Sequence, residues 1–301
     1  MSSRGSVIII EKPRLRNPYM VCGISGWVDG GGAATGSVQY LVKKLAAKRF
    51  AEIPLDRFHI FQVPGQLSLR PQIRIEEGML KEHHFPQNRF FSWVNPDADN
   101  DLILFQGTEP NLNWEEYAGA ILDLAEELAV VRIYLLGGVL DKTPHTREPG
   151  VSCTCSSEKL KEEMQKCGMQ FSSYEGPGSF ATTLLHLCQA SQRQMVNITA
   201  RATYYPEFNI VIPHNPKTIR AVVRRLNQLL QLNLDVSDLD RQTEEFEAKL
   251  DFMASQNPRF QAYIEKLEKD FTEAKYEEPL GISPDEAVRL AEEFLKEKRE
   301  D

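Results

Sequence analysis

A chain of 301 residues with 42% hydrophobic and 26% charged side chains has the make-up of an ordinary globular protein, long enough for one large α/β domain or two smaller ones. Its net charge of −8 argues against a nucleic-acid partner, which a basic patch would serve. No apolar run approaches the ~20 residues a spanning helix needs, and the run in "MSSRGSVIII" is too short for a signal peptide, so a cytoplasmic location with no membrane partner is expected.

Along the chain, short apolar runs alternate with helical patterns, which predicts an α/β sheet protein. Ser6–Glu11 and Tyr19–Ser25 read as strands. The glycine-rich stretch "SGWVDGGGAATG" follows, then a helix over Thr35–Lys48 with Val38, Leu41, Val42 and Leu45 on one face. Further strands are expected at Phe58–Val63, Asp101–Gln106, Val130–Leu136, Met169–Tyr174 and Asn197–Tyr204. Helices are expected at Trp114–Leu128, Glu158–Cys167, Ser179–Gln192 and Thr218–Leu232. Runs such as "LILF" and "VRIYLLGG" lack alternation, as expected where both faces of a parallel sheet are covered. Residues 64–98 break this rhythm: "QIRIEEGMLKEHHFPQNRFFSWV" alternates around the turn Glu77-Gly78 and predicts an antiparallel excursion.

The composition changes near residue 236. Residues 236–301 carry 19 acidic and 10 basic side chains, against 24 and 25 in the rest of the chain. Leu239, Phe246, Leu250 and Met253, then Phe260, Ile264, Leu267 and Phe271, recur at helical spacing amid this charge. Ser283-Pro284-Asp285-Glu286 starts a last helix with an N-cap serine, a proline at the first helical position and a glutamate at the third. These features divide the chain into an α/β core over residues 1–235 and an acidic helical segment over 236–301. That segment is expected to pack on the core or a neighbouring subunit, and its apolar stripe also suits a protein partner.

Five cysteines, at 22, 153, 155, 167 and 188, are an odd number and do not read as a disulfide framework. Cys153 and Cys155 lack the CxxC spacing of structural zinc sites, and in a strand they would simply face the same side. Reduced thiols are expected, with no metal and no cofactor.

Several strands run into loops of unusual composition. Tyr19–Ser25 leads into Gly26-Trp27-Val28-Asp29-Gly30-Gly31-Gly32, and Asp101–Gln106 into Gly107-Thr108-Glu109-Pro110. Val130–Leu136 leads toward Thr143-Pro144-His145-Thr146-Arg147, Met169–Tyr174 into Glu175-Gly176-Pro177-Gly178, and Asn197–Tyr204 into Tyr205-Pro206. If the strands are parallel, all five loops share the carboxyl rim of the sheet, where α/β proteins bind ligands. The glycines permit either a tight strand-to-helix turn or close backbone approach to an anion at a helix N-terminus. They match neither GxGxxG nor a P-loop, and Asp29 would repel a phosphate while being able to cap the turn. His145 suits proton transfer and Arg147 an anion clamp, with Glu109 able to pair with Arg147 or orient His145. An Arg–Glu pair that only ties two loops together needs no substrate. Ser25 lacks a nucleophile-elbow context.

Taken in order, "GWVDGGGAATGSVQYLV", "LRPQI", "GTEPNLNW", "TPHTRE", "YEGPGSFATTLL", "TYYPEF" and "PKTIRAVVRRLNQLLQLNLDVSDL" resemble the proteasome assembly chaperone 2 family over residues ~15–250. The resemblance implies a three-layer α/β/α core with a mostly parallel or mixed sheet, phosphorylase/hydrolase-like, and self-assembly into rings, with a trimer expected. The positions matching the family's motifs are Gly26, Asp29, Gly30, Arg70, Pro71, Glu109, Pro110, His145, Thr146, Arg147, Gly176 and Pro177. The resemblance assigns no catalytic role to any of them, and no ATP-grasp pattern accompanies them. Ring-docking members end in a hydrophobic–tyrosine–any tripeptide, whereas this chain ends Arg299-Glu300-Asp301, which ranks a proteasome chaperone proper below the other readings.

Two functions follow as expectations. The first is a non-catalytic homo-oligomeric binding or assembly protein. The second is a small-anion or nucleotide-like ligand-binding enzyme using the carboxyl rim. Its catalytic candidates are His145, Arg147 and Glu109, and its ligand contacts are drawn from Asp29, Gly30, Gly31, Gly32, Arg70, Glu109, His145, Arg147 and Gly176.

Overall fold

The computed structural model describes residues 7–62, 70–210 and 212–271. In chain order its strands are β1 (Ile8–Ile9), β2 (Tyr19–Ser25), β3 (Lys48–Glu52), β4 (Gln72–Glu76), β5 (Met79–His84), β6 (Arg89–Trp93), β7 (Leu102–Thr108), β8 (Arg132–Asp141), β9 (Val151–Cys155), β10 (Gln170–Phe171) and β11 (Met195–Thr203). Its helices are α1 (Ala33–Lys44), α2 (Trp114–Glu127), α3 (Glu158–Lys166), α4 (Phe180–Ala190), α5 (Pro216–Leu230), α6 (Ser237–Ser255) and α7 (Pro258–Asp270).

Nine strands form one mixed sheet in the order β1-β3-β6-β7-β2-β8-β11-β9-β10. Its centre, β7-β2-β8-β11, is parallel throughout. On one side β6 and β3 add antiparallel strands, and on the other β9 runs antiparallel to β11 with β10 parallel to β9.

Period-two alternation sends successive side chains of each central strand to opposite faces, and both faces are covered. Met20, Cys22 and Ile24 of β2, with Ile103 and Phe105 of β7, pack under α2 and α4. Val21, Leu102, Leu104, Tyr134 and Val196 pack under α1, α3 and α5. A sheet with helices on both faces is a three-layer α/β/α architecture, and the C-terminal helices α6 and α7 are added to it.

Several elements depart from expectation for local reasons. Phe58–Gln62 is not a strand: the backbone turns after Pro54, with the N–H groups of Phe58 and His59 both bonded to the Leu55 carbonyl. The apolar signal there comes from Phe58, which is buried edge-on against Tyr117. Strands β3 and β9 were not expected, because each is only five residues long and buries fewer than half of them fully. The hairpin β4–β5 turns at Glu77-Gly78, both with positive φ (50° and 78°), as a tight two-residue turn requires. The next strand, β6, pairs not with the hairpin but with β3 and β7 of the main sheet. The helix expected from Ser283 and the terminal residues Arg299–Asp301 lie outside the described residues.

Candidate functional site

The parallel centre of the sheet brings Ser25, Thr108, Asp141 and Thr203, the last residues of β2, β7, β8 and β11, to one rim. Four of the five expected loops therefore do converge. The fifth starts elsewhere: β10 runs opposite to the central strands, because β9 inserts between it and β11 with reversed direction. The segment after β10 nevertheless reaches the rim, since α4 begins beside Glu109.

The glycine stretch resolves into a single 3-10 turn over Gly30–Gly32 that feeds α1. Gly31 and Gly32 both sit at φ 64°, in the left-handed region that side chains with a Cβ resist. A Cβ on Gly31 would stand 2.8 Å from the Ala202 Cβ, and one on Gly32 would stand 2.9 Å from the Pro213 carbonyl oxygen. The loop thus packs backbone against the chain's own backbone and side chains. Asp29 occupies the N-terminal end of α1: Oδ1 accepts from Ala34 N–H (2.9 Å) and Thr35 N–H (3.1 Å), and Oδ2 from the Thr35 hydroxyl (2.6 Å). Burial raises its pKa, and those hydrogen bonds oppose the rise. The anion that the helix N-terminus attracts is the chain's own carboxylate.

Glu109 ties two loops rather than an arginine or a histidine. Its Oε2 accepts from Trp27 N–H (2.9 Å) and its Oε1 from Phe180 N–H (3.1 Å), the first residue of α4. The cavity between these segments holds about 20 Å³, space for one water.

His145 is completely buried, and α6 and α7 bury it. Tyr205, on the segment after β11, meets it twice. The His145 backbone N–H donates to the Tyr205 hydroxyl (2.8 Å), and His145 Nδ1 lies 2.6 Å from the same oxygen. His145 Nε2 lies 3.1 Å from Asp251 Oδ1 on α6. A carboxylate can only accept, so Nε2 carries the proton; Nδ1 is then the acceptor for the Tyr205 O–H. Lys217, buried at the start of α5, donates to the His145 carbonyl (2.6 Å) and pairs with Glu247 on α6. Thr146 donates to Glu268 on α7. Burial lowers the His145 pKa, with the hydrogen bond and charge of Asp251 working against the shift. Tyr205 is itself enclosed by Phe260 and Tyr263 of α7, and burial raises its pKa.

The remaining candidates lie apart. Arg147 is exposed two residues beyond His145, with its backbone N–H on the Pro144 carbonyl and no carboxylate partner among the described residues. Arg70 is exposed just before β4, and Gly176 is exposed between β10 and α4. The structure therefore brings His145 together with Tyr205, Lys217, Asp251 and Glu247, not with Glu109 or Arg147. Sequence reasoning missed Lys217, Asp251 and Glu247. Each is a charged residue on a helix rich in charge, and only the docking of α6 sets them apart. Among the described residues no group of three or more His, Cys, Asp or Glu is arranged to hold a metal ion. No described helix is long and apolar enough to cross a membrane.

A mixed sheet with a parallel centre, helices on both faces and a rim partly closed by its own C-terminal helices defines a three-layer α/β/α protein. The family model described as "PAC2 family" matches residues 23–254, most of the chain. This protein belongs to that family. A PAC2 family protein of Streptomyces avermitilis is 27% identical, with a TM-score of 0.70 over 82% of this chain and 99% of its own. A proteasome-assembly chaperone homologue of Mycobacterium tuberculosis is 28% identical with the same TM-score and coverage. PbaB of Pyrococcus furiosus, an archaeal proteasome activator, shares the fold at 22% identity and a TM-score of 0.63, over 82% of this chain and 97% of its own. No curated protein matches the sequence.

Proposed function

We propose that this chain is a non-catalytic, self-assembling protein of the PAC2 family, acting in the assembly of other proteins. One observation carries the reading: the carboxyl rim at β8 and β11 is filled by the chain's own α6 and α7. His145, Tyr205 and Lys217, the groups most suited to chemistry there, are buried and bonded to one another or to those helices. A general base must reach a substrate proton, and His145 faces only its own chain. The naming of the Mycobacterium tuberculosis relative as a proteasome-assembly chaperone homologue supports the assembly role.

Self-assembly is supported by the hairpin β4–β5. Ile73, Ile75, Met79 and Leu80 are all exposed on it, and a two-stranded hairpin is marginal in water on its own. An apolar arm seated on a different patch of a neighbour is a heterologous contact, which generates a ring when its rotation closes; a trimer is the assembly proposed. Phe252 and Met253, exposed on α6, supply a surface for a protein partner. Five unpaired thiols suit a reducing compartment, and the reading is of a cytoplasmic protein.

Sedimentation velocity at micromolar concentration tests the assembly. The wild type should sediment as a trimer. Ile75→Asp combined with Leu80→Asp, a cross-strand pair on the hairpin, should sediment as a monomer with an unchanged unfolding midpoint. A wild type that is monomeric at that concentration sinks the proposal.

A further inference from the structure

The rim is closed at β8 and β11 but open at β2 and β7. A cleft of about 540 Å³ lies there, in the range of small-molecule pockets. Its position has a topological cause. From β2 the chain passes to α1 on one face of the sheet, and from the adjacent parallel β7 it passes to α2 on the other. Where neighbouring parallel strands send their connections to opposite faces, a crevice opens at their carboxyl ends, and ligands of α/β proteins bind in such crevices. Ser25 and Thr108, partners in the strand register, form its floor.

The lining is polar and carries one strong cation. Ser25, Thr35, Gln39, Arg89, Gln106 and Thr108 line the cleft, with the segment 84–87 at the base of the hairpin as its other wall. No carboxylate is among the described lining residues. Arg89 is half-buried, its Nε has no hydrogen-bond partner, and its strand-register partner Glu52 pairs with Arg49 instead. Other arginines lining cavities are neutralised: Arg224 by Asp240 and Arg193 by Glu126. Burial and the charge of Arg49 both lower the Arg89 pKa, with Glu52 opposing them, as befits a cation short of compensating charge. Buried donors are normally satisfied, and one left open at a cleft needs an explanation.

We infer that this cleft binds a compact, hydroxyl-rich small molecule bearing one carboxylate or phosphate, anchored by Arg89. The guanidinium takes the anion in the geometry it offers to carboxylates and phosphates alike. Gln39, Gln106, Ser25 and Thr108 supply the donors and acceptors that the neutral part of such a ligand needs. This site shares no residue with the His145 cluster.

The test is calorimetric titration of the full-length protein with glucose 6-phosphate, gluconate and inorganic phosphate, with glucose as the neutral control. At least one anionic probe should bind saturably at one site per chain, and glucose should not. Arg89→Met should weaken that binding by at least about tenfold. Gln39→Glu, an exposed position where a carboxylate is placed at the cleft without touching the core, should do the same with an unchanged unfolding midpoint. Arg147→Met should bind as the wild type does. The inference is overturned if none of the anions binds up to about 10 mM. It is equally overturned if Gln39→Glu binds as well as the wild type, or if only Arg147→Met loses binding. Because Gln39 lies on the surface, that variant decides the matter even if Arg89→Met fails to fold.

Discussion

Asp29 shows how a residue expected to face a ligand is consumed by the fold. It accepts three hydrogen bonds from the first turn of α1 and supplies the negative charge that a helix N-terminus favours. Asp29→Ala should therefore cost ~1–2 kcal/mol, the usual loss for a helix N-cap, read as a lower urea midpoint at unchanged slope. A functional rather than capping Asp29 would leave the midpoint in place. His145 yields a pH prediction of definite sign. Its folded pKa lies below its unfolded value of ~6.5, so below that pH the unfolded chain binds the extra proton more readily. Stability is full above ~6.5 and is lost as pH falls through the folded pKa. His59, buried on the Thr108 carbonyl, shifts in the same direction and adds to the loss. Urea midpoints measured between pH 7.5 and 5 should fall in the wild type and fall less in His145→Gln. Equal slopes in the two proteins would remove His145 from the account.

At the scale of elements, the C-terminal helices are held by a small cluster of their own. Phe260 packs edge-to-face with Tyr205 and at a tilt against Phe208, with Leu250, Ala254 and Ile264 around it. This cluster is separate from the two large ones beneath the sheet layers, so α7 should open without them. Phe260→Ala should cost about 3–5 kcal/mol at that site. Hydrogen exchange should then speed up in α7 and around His145, while β2, β7 and β8 stay protected. Uniform acceleration across the molecule would mean that the helices and the core unfold as one unit. The same scale shows which elements could be read in advance. Helices α2, α3, α4 and α5 fall within two residues of the expected ranges, because each repeats an apolar face over several turns. Strands β3 and β9 carry too few buried positions to signal their period, and Phe58 imitates a strand by burying a single aromatic ring in a turn.

For the molecule as a whole, the governing contrast is between the two halves of one rim. At β8 and β11 it is sealed by α6 and α7 with a network of bonded charges. At β2 and β7 it stays open beside an arginine without a carboxylate partner among the described residues. An assembly role and a small-ligand site are compatible in this arrangement, because they use different residues: the exposed apolar side chains of the hairpin and α6 for proteins, the polar lining of the cleft for a metabolite.

By itself the sequence determined the family, the α/β/α class, the parallel character of the central strands and the hairpin turn. These rest on local periodicity, turn chemistry and short ordered motifs, all of which act over a few residues. It also indicated the rim loops. Tertiary structure alone decided what those loops do. Whether Glu109 meets Arg147 or two backbone N–H groups, and whether His145 faces solvent or Asp251, depends on residues 71 to 106 positions away along the chain. The glycines of the opening loop needed the same context. Their left-handed φ values could be guessed from composition, but that Ala202 and Pro213 fill the space beside them is a fact of packing between distant segments.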